Sequence, residues 1–305
     1  MGDEIIEKNI YEILYTDEKF PEYLKCVKPQ IKRIFAYGNL SILQKKSVAV
    51  IGSRNCSDYG RKIAKEMTEV LVDNNIVIVS GMALGIDTIA HETCIARGGK
   101  TIAVLGSGLK NIFPKENTNL FHKIIESGGL IISEYSLDEP VQMKNFPKRN
   151  RIISGLSDGV LVVEASYRSG TSITAKYARS QGKTIFCVPN SIGNKNSYGS
   201  IELAKSGAKM VTSGYEILLE LGIKFCKGKK CRKQDVDNKI NNMDANTRAI
   251  FQCLKENECL DCEQISCKTD IDTIVVNQTL TYMELDEIVE NIKINKYKLC
   301  DKYCE

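Results

Sequence analysis

The chain has 305 residues, of which 43% are hydrophobic and 26% are charged, and its formal net charge is +4. This composition supports a large core and excludes global disorder. No apolar run approaches the roughly 20 residues of a bilayer-spanning helix, and the acidic N-terminus lacks the order of a signal peptide, so we expect a cytoplasmic protein without a membrane segment.

The first predicted element is an N-terminal cap over residues 1–46. Its first residues, MGDEIIEKNIYEILY, are acidic and amphipathic. We therefore predict short helices that cover the domain that follows.

An alternation of strands and helices begins at residue 47 and continues to residue 223. The β-branched runs end in glycine, proline or a small polar residue, as strands buried on both faces do. The segments between them are amphipathic, and such an order predicts a doubly wound α/β domain with a mainly parallel sheet over 47–223. The six predicted strands are 47–52, 76–81, 101–106, 130–134, 159–165 and 184–189.

The rest of the chain predicts a linker and a second, smaller domain. Residues 224–243 are polar and have no apolar period, which is typical of a linker. Residues 244–305 predict three helices and a short hairpin, an order that favours a winged-helix-like domain. This segment has 13 Asp and Glu and 7 Lys and Arg, a net charge of −6, which leaves +10 for residues 1–243. A nucleic acid should therefore bind the region before residue 244.

The chain contains 12 scattered cysteines. Several lie in apolar runs, and without an export signal we expect them to be reduced and mostly buried. Cys259 and Cys262 have the CxxC spacing of a zinc knuckle, but no second knuckle pairs with them and their segment has a helical pattern. We expect no metal site, and zinc at this pair stays an alternative.

Ligands of a doubly wound sheet bind at the carboxyl ends of its strands, so the loops there hold the candidate functional residues. The first loop is GSRNCSDYG, residues 52–60, which matches neither a dinucleotide-binding nor a Walker A loop. Small residues such as Ser53 let backbone N–H groups face an anion, and Arg54 adds a bidentate phosphate donor. A tight turn with a surface arginine would give the same pattern.

The second loop, SGMALGIDTIAH, spans residues 80–91 and begins another glycine-containing helix start. Asp87 and His91 are four residues apart, which is the spacing of a catalytic pair on one helix face. No nucleophile stands beside them, so a capping aspartate and a hydrogen-bonded helix histidine are the favoured interpretation.

The third loop follows the fourth predicted strand and leads into the segment KNFPKRNRIISGL, residues 144–156. Phe146 can stack on a base, and Asn150 can bind a base or a phosphate. Basic residues at a helix start oppose the helix dipole, which favours a bound anion. An aromatic beside a basic track is typical of single-strand binding without sequence readout. The cations expected to hold phosphates are Lys144, Lys148, Arg149 and Arg151.

The fourth loop, EASYRSGTSITA, places Ser169, Gly170 and Thr171 at a helix start, where hydroxyl and N–H groups form an anion nest. The four loops should converge at one edge of the sheet. They offer anion-binding groups without an evident acid, base or metal ligand. We therefore expect a binding protein with no catalytic residue and no cofactor.

These loops together resemble the DNA-processing protein A family, also called DprA or Smf. The resemblance covers roughly residues 15–220. It rests on motifs in a fixed order, among them PEYLKCVKPQIKRIFAYGNL, GSRNCSDYG, SGMALGIDTIAH, TIAVLGSGLKNIFPKEN, FPKRNRIISGLSDGVLVVEASYRSGTSITA and GSIELAKSGA. One departure is Asn190, because the family usually has glycine after the proline of VPN; asparagine tolerates the left-handed conformation that a glycine turn uses.

The resemblance implies an extended Rossmann-like domain, a homodimer and sequence-independent binding of single-stranded DNA. It also implies protection of incoming strands and loading of the RecA recombinase onto them during natural transformation. The DNA-contacting residues that it implies are Ser53, Arg54, Lys144, Phe146, Arg149, Asn150 and Arg151.

An enzyme is the alternative. Nucleoside-monophosphate phosphoribohydrolases have a related Rossmann-like core with a glutamate near a Gly/Thr-rich loop, and here Glu164 precedes SGTSITA. The P-G-G-x-G-T-x-x-E order of those enzymes is missing, which disfavours this alternative.

Overall fold

The computed structural model of the chain describes residues 10–166, 169–192, 194, 196–225, 243–257, 259–285, 288–293 and 295–300. Two compact units divide the chain, Met1–Cys226 and Lys227–Glu305. Most of the predicted linker at 224–243, and the first nine residues of the predicted cap, lie outside the described residues.

The first unit is built on a nine-stranded sheet of mainly parallel strands, which confirms the predicted α/β class. The strands are β1 (Ile10–Leu14), β2 (Arg33–Gly38), β3 (Ser47–Ile51), β4 (Val77–Ser80), β5 (Thr101–Leu105), β6 (Leu130–Ser133), β7 (Gly159–Val162), β8 (Thr184–Cys187) and β9 (Lys209–Met210). All six strands predicted from β-branched runs are present, as β3 to β8.

Helices follow the strands and cover both faces of the sheet. They are α1 (Glu22–Lys25), α2 (Asp58–Asp73), α3 (Ile86–Ala96), α4 (Thr118–Glu126), α5 (Asn145–Gly155), α6 (Gly170–Ser180), α7 (Tyr198–Lys205) and α8 (Gly214–Glu220). Alternate residues of β3 enter different cores, since Val48 and Val50 pack in one cluster and Ala49 and Ile51 in another. Burial on both sides explains why the strand is apolar throughout.

The predicted helical cap is partly wrong. Residues 10–14 and 33–38 form β1 and β2, which extend the sheet beyond β6: β2 pairs antiparallel with β6, and β1 pairs antiparallel with β2. The described helices of this region are α1 and a short 3₁₀ turn at Leu40–Gln44. In β2 the buried residues Ile34, Phe35 and Ala36 are consecutive, so the strand shows no alternation.

Strand order places the functional edge of the sheet. The order is β1-β2-β6-β5-β4-β3-β7-β8-β9, with parallel pairing from β6 to β9. The chain builds outward from β3 to β6, then returns to place β7 on the other side of β3. Strand order therefore reverses between β3 and β7, and ligands bind such sheets at the carboxyl ends of these strands.

The second unit contains α9 (Ala245–Lys255), α10 (Cys262–Thr269) and α11 (Thr273–Leu285), with strands β10 (Leu260–Asp261), β11 (Val289–Lys293) and β12 (Lys296–Leu299). The strands pair in the order β10-β12-β11. The third helix, predicted over residues 272–291, ends at Leu285, and the hairpin, predicted over 292–303, begins at residue 289. Assignment of this unit to the winged-helix class stays a prediction.

The cysteines of the second unit do not assemble a metal site in the part that the structure describes, where no three His, Cys, Asp or Glu side chains are grouped for a metal. Cys262 is buried, and its thiol donates to Asn277 Oδ1 at 2.8 Å. No helix among the described residues is long and apolar enough to cross a bilayer.

Candidate nucleic-acid interface

A cavity of about 480 Å³ opens where the strand order reverses. Its walls come from all four loops identified in the sequence, so the predicted convergence at one edge of the sheet is confirmed. Eight of the ten predicted site residues line it, and Lys144 and Arg151 do not. The eight are Ser53, Arg54, Phe146, Arg149, Asn150, Ser169, Gly170 and Thr171.

The loop between β3 and α2 presents Ser53 and Arg54 to the cavity. Its far end is fixed by Ser57, which caps α2 by accepting from Gly60 N at 3.0 Å. The fully buried carboxylate of Glu164, after β7, accepts from Ser57 N at 2.9 Å. Arg54 itself is exposed, and within the described part of the chain its guanidinium has no carboxylate partner. It is therefore available to a phosphate.

The loop after β4 supports the adjacent loop after β3. Asp87 accepts from Gly81 N at 3.0 Å and from Ala83 N at 3.4 Å, so its carboxylate holds the turn that precedes α3. The loop after β3 is joined to this turn, because Ile86 N donates to Ser53 O at 3.2 Å. Burial raises the pKa of Asp87, and the nearby Arg149 opposes this shift.

His91 and Asp87 do not form a catalytic pair. The His91 ring is buried, and Nδ1 lies 2.7 Å from Thr101 Oγ1. Burial, reinforced by the charge of Arg149, lowers the pKa of His91 to about 3. The hydrogen-bonded histidine of the favoured interpretation is present. The capping role predicted for Asp87 is wrong, because the N-cap of α3 is Gly85 and Asp87, in the first turn, accepts from the turn that precedes the helix.

His91 should make stability depend on pH. Below about pH 6.5 the unfolded chain binds a proton at His91, whereas the folded chain binds it only near pH 3. This contribution to stability is complete above pH 6.5 and is lost as the pH falls, at up to about 1.4 kcal/mol per pH unit. We expect His91→Asn to flatten the decline in unfolding free energy between pH 6 and pH 4, measured by urea titration. The exposed His122→Asn is the control, and an unchanged slope in His91→Asn would contradict the assignment.

Helix α5 carries the aromatic wall of the cavity. Phe146 and Asn150 are one turn apart on the face that lines it. The Phe146 ring packs against Phe113 at a centroid distance of 5.3 Å, which fixes the ring while leaving it half-buried. Asn150 Nδ2 donates to Gly170 O at 3.2 Å and joins α5 to the start of α6.

The start of α6 completes the cavity. Ser169 is the N-cap, and its hydroxyl has no hydrogen-bond partner among the described residues. Gly170 and Thr171 form the first turn, whose N–H groups lack partners within the helix. Tyr167 and Arg168, from the same loop, lie outside the described residues. An anion at this position would accept from the helix start and from Ser169.

Arg149 and Arg151, for which phosphate contacts are predicted, lie inside the fold. Both residues are only 4% exposed, and each guanidinium donates to groups inside the fold, although Arg151 Nε and Nη1 have no hydrogen-bond partner among the described residues. Arg149 donates to the backbone carbonyl groups of Gly81 and Val104, and Arg151 pairs with Glu134 outside the cavity. Lys144 is exposed at the N-cap of α5, beside the cavity without lining it.

Asn196 is a wall residue that the sequence did not reveal. Its Nδ2 donates to Asn55 O at 2.9 Å, and its Oδ1 accepts from Ser166 Oγ at 3.0 Å. It therefore joins the loops after β3 and β7. The surrounding NSIGNKNSYGS segment is polar without a period, so nothing in its pattern distinguished this asparagine.

Asn190 stabilises its turn differently from the expected way. Its φ is not among the positive values of the described residues, so the left-handed conformation plays no part. Instead Asn190 Nδ2 donates to Glu164 Oε1 at 3.2 Å, and Ser191 N donates to Asn190 Oδ1 at 2.7 Å. The side chain thus replaces a glycine turn with hydrogen bonds.

Comparison with known proteins gives consistent matches over the first unit. The model of the DNA recombination-mediator protein A family matches residues 12–222. Protein Smf of Escherichia coli strain K12 is 42% identical over 217 residues, which are 71% of this chain and 58% of that protein's length. The matched region is thus little more than half of that relative.

Two solved structures share the fold. DNA processing protein A from Streptococcus pneumoniae is 40% identical with a TM-score of 0.66, over 74% of this chain and 80% of that one. DNA processing protein A from Helicobacter pylori is 29% identical with a TM-score of 0.63, over 70% and 95% of the two chains. The Helicobacter structure describes a single-stranded DNA binding mode of that protein.

Proposed function

This chain belongs to the DNA recombination-mediator protein A family, and on that premise we propose that it binds single-stranded DNA without sequence preference in the cavity between β3 and β7. Its role is then to protect incoming strands and to load RecA recombinase onto them during natural transformation. The protein acts in the cytoplasm, by binding and without turnover.

The observation that carries this proposal is the composition of the cavity lining. An exposed arginine, a half-buried aromatic ring and a helix start with a hydroxyl cap line the same space, as Arg54, Phe146 and Ser169. Cations and helix starts bind phosphates, and an aromatic face stacks on any base. Together they hold a nucleic acid strand through features that every nucleotide shares.

The shape of the cavity favours a single strand. Pockets of about 300–1,000 Å³ enclose a group of small-molecule size, and the cavity lies in this range. Phe146 lies inside it, against Phe113, and so is accessible to a base only when that base is unstacked. In a duplex both faces of each base are already stacked, so binding there would require disruption of the helix.

The test is a fluorescence anisotropy titration of the full chain with labelled oligothymidylate and with a duplex of equal length. We expect the single strand to bind more tightly at every salt concentration, with a log–log salt slope of about −0.7 per neutralised phosphate. Equal affinity for the two forms would refute the proposal.

Phe146→Ala should weaken binding of single strands by about 1–3 kcal/mol, because base–aromatic stacking is lost. The salt slope should stay the same, because no charge is removed. Both quantities come from the same anisotropy titration. Tyr282→Ala, which removes an aromatic that is 70% exposed in the second unit, is the matched control and should leave affinity unchanged. An unaltered affinity in Phe146→Ala would mean that bases do not stack on this ring.

The family likeness supports the remaining parts of the proposal, a homodimer and a RecA partner. Sedimentation of the full chain tests the first, with a mass twice that of the monomer as the expected result. Accelerated RecA filament formation on single strands tests the second, and Arg54→Ala should reduce the acceleration, because loading requires a bound strand.

The phosphoribohydrolase alternative places a glutamate at the reacting base. Glu164 is fully buried and does not line the cavity. Its carboxylate oxygens accept from Ser57 and Asn190, which gives it a structural role at the end of β7. Release of base from nucleoside monophosphates is therefore not expected, and an assay for free base checks this directly.

A further inference from the structure

The two arginines of KRNR point into the fold and not into solvent. Arg149 Nη1 donates to Gly81 O at 2.6 Å, just beyond β4, and also to Val104 O within β5. One guanidinium thus joins α5 to two adjacent strands. The fit is close, because a Cβ placed on Gly81 would lie 2.8 Å from Arg149 Nη2.

Arg149 also orients the neighbouring side chain that faces the cavity. Its Nε donates to Asn150 Oδ1 at 3.2 Å. This contact leaves Asn150 Nδ2 directed at Gly170 O, 3.2 Å away at the start of α6. The hydrogen bonds thus run from the carbonyl groups of Gly81 and Val104, through Arg149 and Asn150, to Gly170 at the start of α6.

Arg151 makes the equivalent attachment on the other side of α5. Two residues along a helix correspond to a rotation of about 200°, so Arg149 and Arg151 project from nearly opposite faces. Arg151 Nη2 donates to Glu134 Oε1 at 2.7 Å and Oε2 at 2.8 Å, immediately after β6. Between these two anchors, Phe146 and Asn150 face the cavity.

We propose that Arg149 and Arg151 are positioning residues that anchor α5 to the ends of β4, β5 and β6, and that neither contacts the phosphates of a bound strand. Their effect on binding is exerted through Phe146 and Asn150. This inference rests on the proposed function, since it assigns roles within the same cavity. Among the described residues of the four loops, Arg54 is then the phosphate-binding arginine that lines the cavity.

Salt dependence separates a positioning arginine from a phosphate ligand. We expect Arg149→Met to weaken binding of oligothymidylate by about 5- to 50-fold. This loss is comparable to the loss of affinity expected when base stacking is removed by Phe146→Ala. Its log–log salt slope should equal that of the unaltered chain, whereas loss of a phosphate contact makes the slope smaller by about 0.7. A slope reduced in Arg149→Met as it is in Arg54→Ala would overturn the proposal.

A double-mutant cycle then separates positioning from a general effect on folding. If Arg149 acts through Phe146, Arg149→Met should cost much less affinity in a chain that already carries Phe146→Ala. Full additivity of the two losses would overturn the proposal. Arg149→Lys keeps the charge but not the planar fork, so we expect it to behave like Arg149→Met and not like the unaltered chain.

Chemical labelling tests the same claim without any substitution. Phenylglyoxal modifies accessible arginines, and mass spectrometry of the full chain reads each position. We expect Arg54 to be modified in the free protein and protected by oligothymidylate, and Arg149 and Arg151 to stay unmodified in both states. Modification of Arg149 or Arg151 in the free protein, with protection by DNA, would overturn the proposal. If no strand binds, the proposed function fails, whereas labelling of the free protein still decides where the arginines lie.

Discussion

Arg54→Ala is expected to weaken binding of single-stranded DNA by about 10- to 100-fold, because a charge-assisted contact to phosphate contributes roughly 1.5–3 kcal/mol. Arg54 is exposed and lines the cavity. Unlike Arg149 and Arg151, it is not engaged by carbonyl or carboxylate groups of the described structure. Its loss should also make the log–log salt slope smaller by about 0.7, since one phosphate is no longer neutralised. Anisotropy titrations at several salt concentrations measure both effects.

The matched control for Arg54 is Arg61→Ala. Arg61 is an exposed arginine in the second turn of α2 that does not line the cavity. We expect its substitution to change affinity little and the salt slope not at all. If Arg54→Ala and Arg61→Ala lose affinity equally, the strand is held by diffuse positive charge and not by the cavity.

Gly85→Ala is expected to destabilise the first unit by about 4 kcal/mol or more and to abolish binding. Gly85 has φ 79° and ψ −126°, a conformation that side chains strongly disfavour. A Cβ there would also lie within 3 Å of the backbone oxygens of Ser53 and Arg54. The loop that carries Arg54 would have to move away to accommodate it. Thermal unfolding and the anisotropy titration measure the two consequences.

Gly207→Ala separates the two causes of the lost stability, which are the disfavoured backbone conformation and the steric overlap with the loop after β3. Gly207 also has a positive φ, of 89°, but a Cβ there would meet no atom within 4 Å. It should therefore cost only about 1–2 kcal/mol and leave DNA affinity intact. If Gly85→Ala destabilises the chain no more than Gly207→Ala does, the loops after β3 and β4 are not packed against each other as described.

The parallel strands could be predicted because their residues are buried on both faces. Val48 to Ile51 alternate between two cores, so no polar residue interrupts the run. The N-terminal strands β1 and β2 were missed, since β1 has a single fully buried residue, Ile13, and its pairing with β2 spans a long interval of sequence. A local pattern does not reveal pairing of that kind.

The cavity could be located from the sequence, whereas the roles of its arginines could not. Loop positions follow from strand order, and strand order follows from the βα alternation. In the sequence the cations of KRNR stand near a helix start, where they oppose the helix dipole and indicated an anion. In the structure Arg149 and Arg151 are the fifth and seventh of the eleven residues of α5. The groups that receive them are backbone carbonyls of other strands and Glu134. Only the packed fold brings those acceptors to the helix.

The most direct test of the central claim is to locate a bound strand on the full chain. An oligothymidylate substituted with 5-iododeoxyuridine can be cross-linked by ultraviolet light and its adducts located by mass spectrometry. We expect adducts on the peptide that contains Phe146, with further adducts next to Arg54 or Thr171. Adducts absent from these three peptides and confined to residues 243–300 would contradict the assignment of the cavity as the binding site.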